Sequence, residues 1–150
     1  MADLNFTEEI AATPQVVGAF FVPHRMGAWY GAEAATQFEV QSGAVEFRND
    51  LKVRLSGKIG KREVTLTAVV TEFERGRVLE WQFQDAYGVR GMQRWEIEAN
   101  GTGTRVRMQD RYEMPGRFAK FFDWLVMRRA VARRDRGDLA RLKRLVEHAQ

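Results

Sequence analysis

The chain has 150 residues, of which 45% are hydrophobic and 29% charged, with a net charge of +4. That is enough chain to bury one substantial core in a single domain, residues 1–150. The absence of Cys excludes disulfides, thiolate nucleophiles and Cys-ligated zinc, and two His leave no conventional zinc site, so no metal or other cofactor is expected.

The opening segment MADLNFTEEI is acidic and lacks the apolar stretch of a signal peptide, and no apolar run reaches bilayer length. A cytoplasmic protein is expected. Leu4, Phe6, Glu8 and Ile10 share one strand parity. Thr13 and Pro14 then start a short helix as N-cap and first helical residue. Pro23 ends it, and a second short helix or turn covers His24 to Trp29. Strands are expected over Thr36–Val40, Val45–Leu55, Arg62–Phe73, Val78–Gln84, Val89–Ala99 and Thr104–Met114. The turns between them carry Gln41-Ser42-Gly43, Ser56-Gly57-Lys58-Ile59-Gly60, Arg75-Gly76 and Asn100-Gly101-Thr102-Gly103. Asn-Gly between alternating strands is the strongest of these hairpin signals. The Gly57–Lys61 string lacks the spacing of a phosphate-binding loop and reads as a turn. From Pro115 a long amphipathic pattern predicts one helix from about 117 to 147, with Gly137 as its weakest point.

Strand parity sorts the inner face. Val106, Met108, Asp110, Tyr112 and Met114 fall on it, as do Gln93, Trp95, Ile97 and Ala99. Leu79, Trp81 and Phe83 form a third row, and Phe38, Val40, Val45, Phe47, Asn49, Leu51 and Val53 complete the set. Arg62–Phe73 mixes parities, which predicts a bulge or partial cover of its outer side. On the terminal helix, Phe118, Phe121, Leu125, Ala132, Leu139 and Val146 form one stripe at about 100° per residue. Arg128 lies near its centre and Asp135 close to it.

The order of these segments resembles the helix-grip superfamily that includes START lipid-transfer domains, pollen-allergen-like proteins and polyketide cyclase/dehydrase-like proteins. The resemblance rests on Ile10–Val17 leading a strand into a short helix, Trp29, the segment Val70–Arg77, Gly103-Thr104-Arg105-Val106, and Asp138–Lys143 with Glu147. It implies an α+β fold in which a curved seven-stranded antiparallel sheet wraps a long C-terminal helix, with two short helices near the N-terminus. It also implies a hydrophobic ligand cavity between sheet and helix. The fold alone fixes no chemistry.

Polar residues on apolar faces are the candidates for function, because a buried carboxylate must find a partner, shift its pKa or border water. Asp110, Tyr112 and Arg128 are the catalytic candidates, with Asp110 and Arg128 expected to meet as the polar end of the cavity. The expected ligand-contacting set is Phe38, Phe47, Asn49, Leu51, Trp81, Phe83, Gln93, Trp95 and Met108, together with Asp110, Tyr112, Phe121, Leu125 and Arg128. His24 and His148 read as surface residues. No residue pair has a catalytic spacing, so binding of a hydrophobic or aromatic, lipid- or polyketide-like molecule is the favoured reading. A cyclase- or aromatase-like enzyme is the first alternative.

Charge supplies a second alternative. Residues 1–114 hold 14 Lys/Arg and 16 Asp/Glu, a sum of −2, whereas residues 115–150 hold 10 and 4, a sum of +6. The basic helix is therefore either a solvated face or a docking face for an acidic protein or membrane surface. No nucleic-acid motif accompanies it, and the chain is read as a monomer or homodimer without a nucleic-acid partner.

Overall fold

The computed structural model describes residues 2–32, 36–59, 61–114 and 121–149, without the side chains of residues 59, 62 and 121–124. Strand β1 (Ala2–Ile10) leads into helices α1 (Pro14–Gly18) and α2 (Pro23–Met26). Strands β2 (Gln37–Val40), β3 (Lys52–Ile59), β4 (Arg62–Glu74), β5 (Val78–Asp85), β6 (Arg90–Asn100) and β7 (Gly103–Glu113) follow, and α3 (Phe121–His148) ends the chain. The seven strands form one curved antiparallel sheet in the order β1-β7-β6-β5-β4-β3-β2. Each hairpin pairs neighbours in sequence; β1 pairing with β7 joins the two ends of the chain. This is the α+β helix-grip architecture expected above.

Local chemistry explains the entry. The Thr13 hydroxyl accepts from the Val16 N–H at 3.4 Å, and Pro14 and Pro23 each occupy the first turn of a helix, where no N–H is needed. The far end of α3 is tied to β1. Lys143 Nζ donates to the Glu9 carbonyl at 2.7 Å and lies 3.6 Å from Glu8, while Glu147 accepts from the Ala11 N–H at 3.1 Å. Leu139, Leu142 and Val146 of α3 are buried against the sheet, and the helix runs unbroken through Gly137. Residues 117–120 of the expected helix lie outside the described residues. No described helix is long and apolar enough to cross a membrane.

The structure corrects three expectations. Val45–Leu55 is not one strand: β3 begins only at Lys52, and Val45 is 74% exposed. Asp50 adopts φ 68, which breaks the extended chain, and its N–H donates to the Val70 carbonyl at 2.8 Å. Phe47 and Leu51 are still buried, so this loop folds its apolar residues over the sheet. Ser56–Ile59 is not a turn but the end of β3. Gly57 is there because a Cβ would lie 2.6 Å from the Thr36 hydroxyl. Ala99, expected inside, is exposed at the hairpin end.

The mixed parity of β4 has the cause anticipated. Its ladder with β5 shifts register between Val70 and Glu72, so Val70 pairs Trp81 and Phe73 pairs Leu79. The bulge brings both Val70 and Phe73 onto the core although they differ in parity.

Close packing of α1 on the β4–β5 turn makes a test. A Cβ on Gly18 would lie 2.6 Å from the Gly76 Cα, and Gly76 holds φ +73, so the turn cannot yield. Gly18→Ala is expected to cost about 1–3 kcal/mol in chemical denaturation, while Gly27→Ala, which meets nothing within 4 Å, costs far less.

Candidate functional site

Most aromatic residues expected around a ligand pack on one another. Trp81 and Trp95 are fully buried with ring centroids 5.0 Å apart. Tyr30 lies 5.6 Å from Trp81 and 5.7 Å from Trp95, and Trp29 6.2 Å from Trp95. Phe47 is 6.2 Å from Trp81 and 6.3 Å from Phe38. Leu51 and Met108 are buried in the same cluster. Trp29 and Tyr30 enter it from the segment after α2, and strand parity gave no information on that segment. Asn49, expected on the inner face, sits in the exposed loop before β3, where its carboxamide oxygen accepts from the Phe73 N–H at 3.2 Å.

Beside the aromatic cluster lies a buried polar row. Gln93 is fully buried, and its carboxamide oxygen accepts from Tyr30 Oη at 2.7 Å and Trp81 Nε1 at 2.8 Å. Its nitrogen donates to Asp110 Oδ2 at 3.2 Å. The same Asp110 oxygen faces Arg134 Nη2 at 3.6 Å, and that nitrogen also reaches Asp135 Oδ1 at 3.4 Å. Arg134 further stacks over the Tyr30 ring at 5.8 Å. One turn on, Asp138 is buried, accepts from the Gly31 N–H at 2.9 Å and lies 3.9 Å from Arg141 Nη1.

The acidic residue was correctly placed by parity, but the arginine set against it at close range is Arg134 rather than Arg128. Arg128 is half-buried on the same helix, and its charge acts on Tyr112. Arg134 and Asp138 were missed. Their signal was available in the spacing Val131, Arg134, Asp138, Leu142, which follows an α-helical face. Leu125 is half-buried, and the Phe121 side chain lies outside the described residues.

Protonation follows from burial. Desolvation pushes the Asp135 carboxyl well above its ordinary value of 3.8, and the neighbouring Asp110 charge and hydrogen bond push it further. Burial opposes the Arg134 charge, yet Tyr30, Asp135, Asp110 and Asp138 outweigh it and raise its pKa above the ordinary arginine value. Tyr112 is raised to about 12, by burial first and by Asp110 second, and so stays a neutral phenol.

A small cavity of about 40 Å³ opens where this row meets the sheet. Val64, Leu66 and Phe83 wall it from the sheet, Val89 from the β5–β6 turn, Met127 and Val131 from α3, and Asp110, Tyr112 and Arg134 form its polar end, with Asp85 at the end of β5. Three expected residues line it: Phe83, Asp110 and Tyr112. The Tyr112 hydroxyl and Arg134 Nε are buried and have no hydrogen-bond partner among the described residues. Among the described residues no group of His, Asp or Glu could hold a metal ion.

A family model described as polyketide cyclase / dehydrase and lipid transport matches residues 1–147, and the chain belongs to that family. Solved structures share the fold at low identity. Protein Ms6760 from Mycobacterium smegmatis superposes with a TM-score of 0.72 at 13% identity, covering 99% of this chain and 92% of its own. Ara h 8.0201 gives 0.70 at 9% identity, covering 97% of each chain. DynU16, described as a putative protein in the dynemicin biosynthetic locus, gives 0.67 at 15% identity over 99% of this chain and 48% of its own. No curated protein sequence matches.

Two expected outcomes test the polar row. Gln93→Leu leaves the buried Tyr30 and Trp81 donors unmet and should cost on the order of 3 kcal/mol in chemical denaturation. For Asp135 the folded pKa is raised, so its contribution to stability is complete below the unfolded value near 3.8 and is lost as pH rises towards the folded value. Asp135→Asn removes that loss. Its stability relative to the wild type should improve with pH above about 4, by up to about 1.4 kcal/mol per pH unit within the window. A difference that does not change with pH would contradict the raised pKa.

Proposed function

We propose that this family member binds a small molecule with an apolar or aromatic body and an oxygen acceptor at one end, in the pocket between the sheet and α3. The observation that carries this reading is the polar end of an otherwise apolar cavity, where the neutral Tyr112 hydroxyl and Arg134 Nε have no partner among the described residues. Buried donors of this kind cost free energy in the empty protein, and a ligand oxygen that accepts from them recovers it. The apolar body then lies among Val64, Leu66, Phe83, Val89 and Val131.

A volume of about 40 Å³ holds little more than a water molecule, so binding must enlarge the pocket. Met127 is the natural moving part, being half-buried, unbranched and on the wall of the cavity. The fully buried aromatic cluster stays in place as the rigid floor.

The Asp110–Asp135 pair favours a second reading, a cyclase-like enzyme. A carboxylate at the end of the cavity can take a proton from a carbon next to a ligand carbonyl, while the Tyr112 hydroxyl donates to the oxygen where charge develops. Arg128, whose charge acts on Tyr112, would assist from the helix. In the carrier reading the same groups only hold and orient the ligand.

Titration with 2-naphthol, followed by tryptophan fluorescence, should give saturable binding. Val131→Phe fills the pocket and should abolish it, and Tyr112→Phe should weaken it about five- to tenfold by removing one hydrogen bond. Undiminished binding in a folded Val131→Phe protein would place the site elsewhere. Liquid chromatography with mass spectrometry of co-purifying molecules, before and after incubation, separates carrier from enzyme: unchanged mass and retention time support the carrier, whereas loss of water or a shifted retention time at constant mass supports the cyclase.

A further inference from the structure

On β6 and β7 the arginines of the outer sheet face are matched by acids. Arg94 pairs with Glu72 and Glu96, Arg105 with Glu9, Arg107 with Glu98, and Arg111 with Asp3. The outward face of α3 differs. Val126, Arg129, Arg133, Arg136, Ala140 and Arg144 are all exposed, and steps of three or four residues put them in one line along the helix. Among the described residues Arg129, Arg133 and Arg144 have no ion pair, and Arg136 stacks on Phe6 at 5.3 Å. Of the acidic residues described on α3, Asp135 and Asp138 are buried on the opposite side, and Glu147 is engaged by the Ala11 N–H and Lys143.

We infer that this line of arginines docks the protein on an anionic lipid surface. From Arg129 to Arg144 the row extends about 22 Å at about 1.5 Å per residue, a straight and level array suited to a plane of phosphates and carboxylates. At the end of the row Val126 is 51% exposed, an apolar anchor that a lipid interface accommodates and a phosphate backbone does not use. Val126 adjoins Met127, which walls the pocket. The significance of that adjacency rests on the proposed ligand reading: docking brings the movable wall of the pocket to the source of an apolar ligand. The charge argument for docking itself stands without it.

The test is co-sedimentation of the full chain with phosphatidylcholine vesicles, and with vesicles of equal parts phosphatidylcholine and phosphatidylserine, at low ionic strength. Binding is expected only to the anionic vesicles, falling as salt is added. R129Q/R133Q/R144Q should lower the partition coefficient at least tenfold, and Val126→Ser should lower it further. R107Q/R111Q, taken from the matched sheet face, should leave it unchanged. Val131→Phe fills the pocket without touching the row, so it should abolish 2-naphthol binding and spare vesicle binding. R129Q/R133Q/R144Q should do the reverse, which keeps failure of docking distinct from failure of the pocket. Absence of binding to anionic vesicles overturns the inference, as does equal loss with the sheet variant. Tighter binding to duplex DNA or to polyglutamate, with the same dependence on the three arginines, also overturns it.

Discussion

Arg134 carries a guanidinium into the interior of a small domain, and the cost of leaving such a charge unmatched is several kcal/mol. The surrounding structure is arranged to meet that cost. Asp110 comes from the last strand and Asp135 from the helix itself, and one guanidinium nitrogen lies within 3.6 Å of both. Tyr30 offers its ring face from the segment after α2. Contacts from three parts of the chain thus meet on one side chain, and those from β7 and from the segment after α2 fix how α3 sits over the sheet.

The sheet must be in register for this to work. Trp81 pairs with Gln93, Gln93 with Asp110, and Asp110 with Leu4, one row across β5, β6, β7 and β1. A slip of one residue in any ladder would turn its member of the row to solvent. Because Gln93 satisfies two donors and one acceptor at once, the row ties the aromatic cluster to the charged one. Buried polar networks of this kind favour one arrangement over its alternatives more than they add net stability.

Space inside the grip is divided unevenly. Tryptophans and tyrosine from the N-terminal segment and from β5 and β6 fill the middle, and among the described residues a small cavity is left beside the β4–β7 strands and α3. The pocket is therefore the unfilled edge of the core, and its polar end is the outer end of the row that anchors Arg134. On the proposed function, stability and recognition share residues here, so changes at Asp110 or Arg134 act on both.

Resemblance to the helix-grip superfamily implied the fold class, and the sequence alone determined nearly all strand boundaries and the inward parity of β5, β6 and β7. Those features are local: alternation, turn residues and caps act within a few positions. Asp110 also stood out as a carboxylate on an apolar face, and the β4 bulge as a mixed parity. Tertiary structure decided the rest. Reading the helix by a seven-residue stripe drew attention to Arg128, while Arg134, about 120° further round at about 100° per residue, is the arginine held within 3.6 Å of Asp110. Which side of a helix turns inward depends on the curvature of the sheet beneath it, and no local pattern encodes that. Nor could periodicity show that Trp29 and Tyr30 fill the grip, or that Asp50 breaks the strand before β3. Contacts between residues far apart in the chain decide whether an apolar face encloses a cavity or packs solid, so the size of this pocket was settled only when the N-terminal segment, the sheet and the helix came together.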